Sequence, residues 1–365
     1  MLLSPARRLP RRVRRAAALA AFAVSIASFA ALVTQIATAL PARAADQDLG
    51  FEAGIGLPCI AVDSWGAGSV TVTQKRAGAT LKQVTLAEGS TMIGCVKPLA
   101  AGDVLVIARG ATKRTVKVPS ATLSVNLAAD TVAGTLPASA SQVKLTIQDF
   151  TAGYSTGLAL SPTVSVAGGA FGVDTTGDLD LGRGDRAIVT WVGGADAWRI
   201  VRQTATAIVQ PGWKLASGTG KPGSSMKVTL KTAKGVVRGV AATTVKTQPS
   251  ASAGFFEAAF RKSGKNVLPV AGNLVVATGL TGSFKVPAGV PVVSTGANKV
   301  DATCPAGSDW LVLRDLTKVA GGRTASGAIS VSPVNADGPL ALGTRVLVAC
   351  QAPSGFGVVR EVVVE

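Results

Sequence analysis

The chain has 365 residues, with 37 basic against 20 acidic side chains, 42 glycines, few aromatics and no histidine. That length admits several domains, and its hydrophobicity excludes a disordered chain. The absence of histidine removes Ser-His-Asp and Cys-His catalysis and His-based zinc sites, and four cysteines with no C-x-x-C pair leave zinc ribbons and thioredoxin-like chemistry unsupported.

Residues 1–44 read as an export leader. Arg7, Arg8, Arg11, Arg12, Arg14 and Arg15 form a basic n-region, Ala16 to Leu40 is uncharged, and Ala42-Arg43-Ala44 is a small-x-small cleavage pattern. The expected mature start is Ala45. The uncharged run of 25 residues is also long enough to span a bilayer, so an uncleaved anchor helix is the alternative. Both readings place the bulk of the chain outside the cytoplasm, secreted or at the cell surface. No Leu-Pro-x-Thr-Gly motif occurs, so covalent wall attachment is not expected.

Beyond the leader one phrase recurs: a glycine, a small polar residue, then a strand-forming run. It appears at Gly102-Asp103, Gly184-Asp185, Gly272-Asn273 and Gly343-Thr344, with gaps of 82, 88 and 71 residues. Gly and Asp bend the chain, and the β-branched residues that come next suit a half-buried pleated surface. Recurrence with variable spacing predicts repeated all-β modules whose loops differ. The expected divisions are 45–119, 120–207, 208–286 and 287–365.

The third module is the clearest. Ser217-Gly218-Thr219-Gly220-Lys221-Pro222-Gly223-Ser224-Ser225-Met226-Lys227-Val228 reads as strand, Pro-Gly turn and alternating strand. It resembles the bacterial immunoglobulin-like domains of secreted and surface proteins. The resemblance fades to Cys304-Pro305-Ala306-Gly307-Ser308 in the fourth module, Gly66-Ala67-Gly68-Ser69-Val70 in the first and Val132-Ala133-Gly134-Thr135 in the second. It implies tandem immunoglobulin-like β-sandwiches and a structural or adhesive role, with no activity attached. Cys59 and Cys95 share one module and Cys304 and Cys350 another, so an exported chain is expected to form one disulfide in each. Loops of 36 and 46 residues closed in this way stabilise by about 4 kcal/mol each in chain-entropy terms.

Charge is the sharpest functional clue. The mature chain carries a net +10, and the third module holds 11 basic residues against one acid, Glu257. Lys227, Thr229 and Lys231 alternate with Val228 and Leu230, which puts the lysines on the solvent face of a strand. Lys221, Lys227, Lys231, Lys234, Arg238 and Lys262 are the candidate polyanion-binding residues. A basic face without interleaved aromatics does not read as a specific nucleic-acid site.

Other constellations carry less. Trp191 and Trp198 flank a turn and share a face with Val189 and Ile200, which reads as core rather than a sugar platform. Arg183-Gly184-Asp185 spells an integrin-type tripeptide but coincides with the recurring strand-start phrase. Asp174, Asp178 and Asp180, near Asp185, offer oxygen ligands for calcium without EF-hand spacing. No phosphate loop is present: Gly220-Lys221 runs into proline. The expectation is an exported, non-enzymatic structural or adhesive surface protein without cofactor, its partner an anionic envelope polymer. Self-association through an unpaired terminal strand, Val358–Val364, is a further expectation. A glycan- or wall-polymer-binding protein and an extracellular hydrolase with a carboxylate pair are the alternatives.

Overall fold

The computed structural model describes residues 50–62, 68–87, 92–148, 163–176, 181–194, 196–247, 254–288, 291–294, 298–315, 317–332 and 340–364. The expected leader lies outside the described residues. Every regular element among the described residues is a β-strand, and none is a helix long and apolar enough to cross a membrane.

Four successive stretches build one strand pattern. The first contains β1 (Phe51–Gly54), β2 (Cys59–Val62), β3 (Val70–Arg76), β4 (Ala79–Leu86), β5 (Met92–Cys95), β6 (Val104–Arg109) and β7 (Thr112–Lys117). The second contains β8 (Thr122–Asn126), β9 (Thr131–Thr135), β10 (Gln142–Gln148), β11 (Thr163–Ser165), β12 (Ala170–Asp174), β13 (Arg186–Gly193) and β14 (Asp196–Gln203). The third opens with β15 (Ala207–Val209), β16 (Leu215–Gly220), β17 (Ser225–Lys231), β18 (Val237–Thr244) and β19 (Lys246–Thr247). It continues with β20 (Gly254–Ala259), β21 (Arg261–Lys262), β22 (Lys265–Asn266), β23 (Leu274–Ala277) and β24 (Phe284–Lys285). The fourth contains β25 (Val292–Ser294), β26 (Lys299–Thr303), β27 (Ser308–Arg314), β28 (Thr317–Thr324), β29 (Ala328–Val331), β30 (Arg345–Gln351) and β31 (Phe356–Val363).

Within each stretch the first, second and fifth strands pair side by side, and the other four pair in the order fourth, third, sixth, seventh. In the third stretch β19 and the β21–β22 hairpin are additions at sheet edges. Period-two burial sets which face turns inward: along β17, Met226, Val228 and Leu230 are buried while Lys227 is exposed.

The stretches are fused in pairs. β1 runs parallel to β14, with Ala53 opposite Trp198, and β15 runs parallel to β31, with Ile208 opposite Gly357. The results are a seven-stranded sheet, β11-β10-β13-β14-β1-β2-β5, and an eight-stranded sheet, β19-β20-β16-β15-β31-β30-β27-β28. Phe51, Ile60, Trp191 and Trp198 of the first long sheet share one buried cluster with Val72 and Leu105 of β4-β3-β6-β7 and with Val132 and Phe171 of β12-β9-β8. The second long sheet shares another with sheets β22-β21-β18-β17-β23-β24 and β25-β26-β29. The cores are therefore shared in pairs rather than separate.

Of the terminal strand singled out for self-association, β31 pairs with β30 over Gly357–Val363, and on its other side β15 meets only Phe356, Gly357 and Val358. β1 is interior, between β14 and β2.

Side chains close the first junction. The ring of Phe51 meets Trp198 edge-on, centroids 5.2 Å apart. Arg114 on β7 donates two 2.7 Å bonds to the Asp196 carboxylate on β14, and its guanidinium sits 5.9 Å from the Phe51 ring centroid. The Asp196 side chain is 3% exposed, so the pair operates largely out of water. At the second junction Phe284 stacks on Phe356, and Arg360 donates to the carbonyls of Pro287 and Ala288 between β24 and β25.

The recurring phrase has a local cause. Gly102, Gly184, Gly272 and Gly343 all have φ between 80° and 99°, a conformation that costs a side chain with Cβ. The next residue closes the turn: its N–H donates to the carbonyl three residues earlier, at Ala100, Gly182, Val270 and Ala341. In the first three copies its side chain also accepts the N–H of that earlier residue. The Gly-Thr of two stretches has a different cause. A Cβ on Gly134 or Gly218 would lie 2.1 Å from the carbonyl oxygen of Thr122 or Thr206, and the hydroxyls of Thr135 and Thr219 bond those of the same two threonines.

Asp103 does most in this role. Its buried carboxylate accepts from Arg76, from Ala100 N–H and from Gln74, and the Gln74 carbonyl accepts Lys97 N–H. The Arg76 bonds, with those of Ala100 and Gln74, outweigh burial and hold the carboxyl below its ordinary 3.8, at about 2. A depressed carboxyl stabilises the fold above its unfolded pKa and loses that contribution as pH falls through the folded value. Arg76 is half exposed, which limits the contribution to roughly 1–2 kcal/mol.

Asp103→Asn should keep the fold, as Asn273 does at the equivalent turn, and urea titrations at pH 7, 4 and 2.5 will show a shallower acid loss than wild type between the last two. Arg114→Ala leaves a buried carboxylate without its ion-pair partner and costs about 3 kcal/mol; tryptophan fluorescence and circular dichroism will report one shared transition at lower denaturant. Separate transitions for the first and second stretches would contradict the shared core.

Candidate polyanion-binding face

Seven of the eleven basic residues of the third stretch lie on strands of the sheet β22-β21-β18-β17-β23-β24. Its inner face buries Val228, Leu230, Ala241, Val275 and Phe284. Its outer face is set by register. Lys231 pairs with Leu274, and Leu274 with Lys285, so two lysines flank one half-buried leucine across three strands. On the other side Lys231 pairs with Val237, where a bulge between Leu230 and Lys231 interrupts the ladder. The Lys262 ammonium reaches the Val237 carbonyl at 3.2 Å. Lys234 stands exposed in the β17–β18 turn, which is closed by the bond from Thr232 N–H to Val236 O.

The six sequence candidates therefore divide. Lys231, Lys234 and Lys262 gather at one end of the sheet. Lys227 lies on the same face, four residues along β17 from Lys231. Lys221 belongs to the turn before β17, at the opposite end. Arg238 turns to donate to Asn273 Oδ1 at 3.0 Å and serves the strand-start turn. Lys285 joins the group, and only the β23–β24 pairing places it there.

No strand of this sheet contains an acid. Glu257, the acid of the stretch, is on β20 in the long sheet. Among the described residues, none of Lys227, Lys231, Lys234, Lys262 and Lys285 forms an ion pair. The face can attract anions without first breaking an internal pair.

Trp191 and Trp198 oppose each other across the β13–β14 hairpin at 2% and 3% exposure, so neither indole is available to stack on a sugar. Asp185 is buried with its carboxylate on Gly182 N–H, and Arg183 donates to Pro353 O, so the tripeptide presents no free carboxylate. Asp174 is exposed on β12 and accepts Thr176 N–H; Asp178 and Asp180 lie outside the described residues. Among the described residues no three acidic or cysteine side chains converge on a metal-sized site. Both disulfides are closed: Cys59–Cys95 joins directly opposed residues of β2 and β5, and Cys304–Cys350 ties the end of β26 to β30 in the facing sheet.

No protein-family model matches the chain, and no curated protein sequence does. Among solved structures, it is similar to a tetra-tandem repeat from the extending region of a large adhesion protein, at 15% identity over 87% of this chain and 99% of that one, TM-score 0.18. A Ca2+-stabilised, ice-binding adhesin of an Antarctic bacterium gives 16% identity over 88% and 96%, TM-score 0.16. The BSP domain of a biofilm-associated protein gives 8% over 89% and 99%, TM-score 0.19. TM-scores this low carry no argument about what the protein does.

Proposed function

We propose that the protein is an exported, non-enzymatic surface component whose four strand sets are immunoglobulin-like modules, held to an anionic envelope polymer by the basic face of the third. The observation that carries this reading is the acid-free sheet on which Lys231, Lys234, Lys262 and Lys285 gather. The basic leader and the two disulfides favour an oxidising compartment outside the cytoplasm. Burial of the paired indoles favours recognition by charge over recognition of a neutral sugar. The mechanism is passive: shared cores keep the sheet rigid, and clustered ammonium groups displace counterions from the polymer.

The mature chain should be retained on immobilised polyphosphate in low salt and elute as ionic strength rises through the physiological range, where charges separated by more than about 8 Å become screened. Lys231→Glu with Lys262→Glu should move elution to markedly lower salt, with an unchanged circular dichroism spectrum. Retention that ignores salt, or survives both reversals, would remove the reading.

A further inference from the structure

The sheet β4-β3-β6-β7 of the first stretch occupies the position that β18-β17-β23-β24 occupies in the third, and the two share more than strand order. Both carry a bulge at the same place: Leu81 in β4 is the extra residue opposite Gln74 and Lys75, and Arg238 in β18 is the extra residue opposite Leu230 and Lys231. Across the first sheet Lys75 pairs with Val104, and Val104 with Lys117. Across the second Lys231 pairs with Leu274, and Leu274 with Lys285. Each central apolar residue comes directly after the Gly-Asp or Gly-Asn turn. In both rows the first lysine is half-buried and the second exposed.

The surroundings match as well. The strands of each sheet hold seven basic residues and no acid. Asp103, in the turn beside the first row, is turned inward and engaged by Arg76. The even-numbered stretches lack the row: the same position reads Gln148, Arg186, Gln203 in the second, and in the fourth Arg345 opposite Val363. There Arg186 donates to Gln148, and Arg345 pairs with Glu361 at 2.6 Å. The lysine row thus recurs once in each fused pair.

We propose that the first stretch carries a second copy of the polyanion site, so that one chain engages a single linear, phosphate-bearing polymer at two places; this rests on the charge-attachment function proposed for the third stretch. The two lysines of a row stand on strands separated by one other, with backbones about 10 Å apart. Lysine ammonium groups bind phosphate as point charges, so each can meet a single phosphate of a linear polymer without the fixed geometry of a bidentate pair. The strands of these two sheets contain one aromatic residue, the inward-facing Phe284, so nothing on either face stacks on bases. Linking two weak sites through one polymer raises affinity by about 10²–10⁴ without a new contact.

The test uses the mature chain, its Lys75→Glu/Lys117→Glu and Lys231→Glu/Lys285→Glu variants, and glutamine versions of both that guard against misfolding. Calorimetry with long-chain polyphosphate and with tripolyphosphate is the measurement. Either pair of reversals should weaken long-chain binding about a hundredfold, halve the tripolyphosphate stoichiometry and leave the remaining site's affinity unchanged. If changing Lys75 and Lys117 alters neither quantity while changing Lys231 and Lys285 alters both, the second site is refuted and single-face attachment stands. If neither pair matters, the attachment function falls as well. Tighter binding to duplex DNA or to acidic lipid vesicles than to polyphosphate would overturn the choice of ligand.

Discussion

The parallel pairing of β1 with β14, repeated by β15 with β31, is the constraint on which the rest of the structure depends. The layers β1-β2-β5 and β15-β16-β20 of the odd stretches are too narrow to bury much alone. Each joins edge to edge with the four-stranded layer of the next stretch to make one broad sheet, over which two smaller sheets share a core. Burial of apolar area is the main force favouring the fold, so a shared core makes two small units one cooperative body. The pairing also removes β1 from an edge, where exposed ladders invite association. β5, left at an edge of the first long sheet, is tied to its neighbour by Cys59–Cys95.

Fusion also separates two roles. The sheets of the even stretches are built into the long sheets, and the charges at their strand starts are engaged by neighbours, as in Arg345–Glu361. The corresponding sheets of the odd stretches remain separate layers, each with one face in solvent. There lysines without carboxylate neighbours impose no desolvation cost. Polar groups that are buried obey the opposite rule: Asp103, Asp196 and Gln74 each have hydrogen-bonding partners. Asp103 and Asp196 are buried and paired, whereas the strands of the two separate sheets carry charge of one sign.

Much of this was readable from residue order. The Gly-Asp phrase foretells its turn because positive φ is a local demand. The alternation of Lys227, Val228, Thr229, Leu230 and Lys231 assigns the faces of β17 because side chains alternate along a strand. The indoles of Trp191 and Trp198 were placeable in the core from the apolar company on their face. The first basic row was not readable. Summed over residues 45–119, its charge is nearly cancelled by acids, of which Glu52 lies on β1 in a different sheet and Asp103 is turned inward. Lys285 escaped for a related reason: its neighbours on the face come from β17 and β23.

The sequence by itself determined the local features: strand class, turn positions, the inward and outward sides of each strand, and which cysteines could meet. These depend on residues a few places apart. Only the tertiary structure decided that the sandwiches fuse in pairs, that the start of the last strand joins β15, and that two lysine rows occupy equivalent faces. Those outcomes rest on backbone pairing between segments as distant as Ala53 and Trp198, or Ile208 and Gly357. Backbone amides and carbonyls are the same in every residue but proline, so the side-chain pattern carries no record of which distant edge a strand will join.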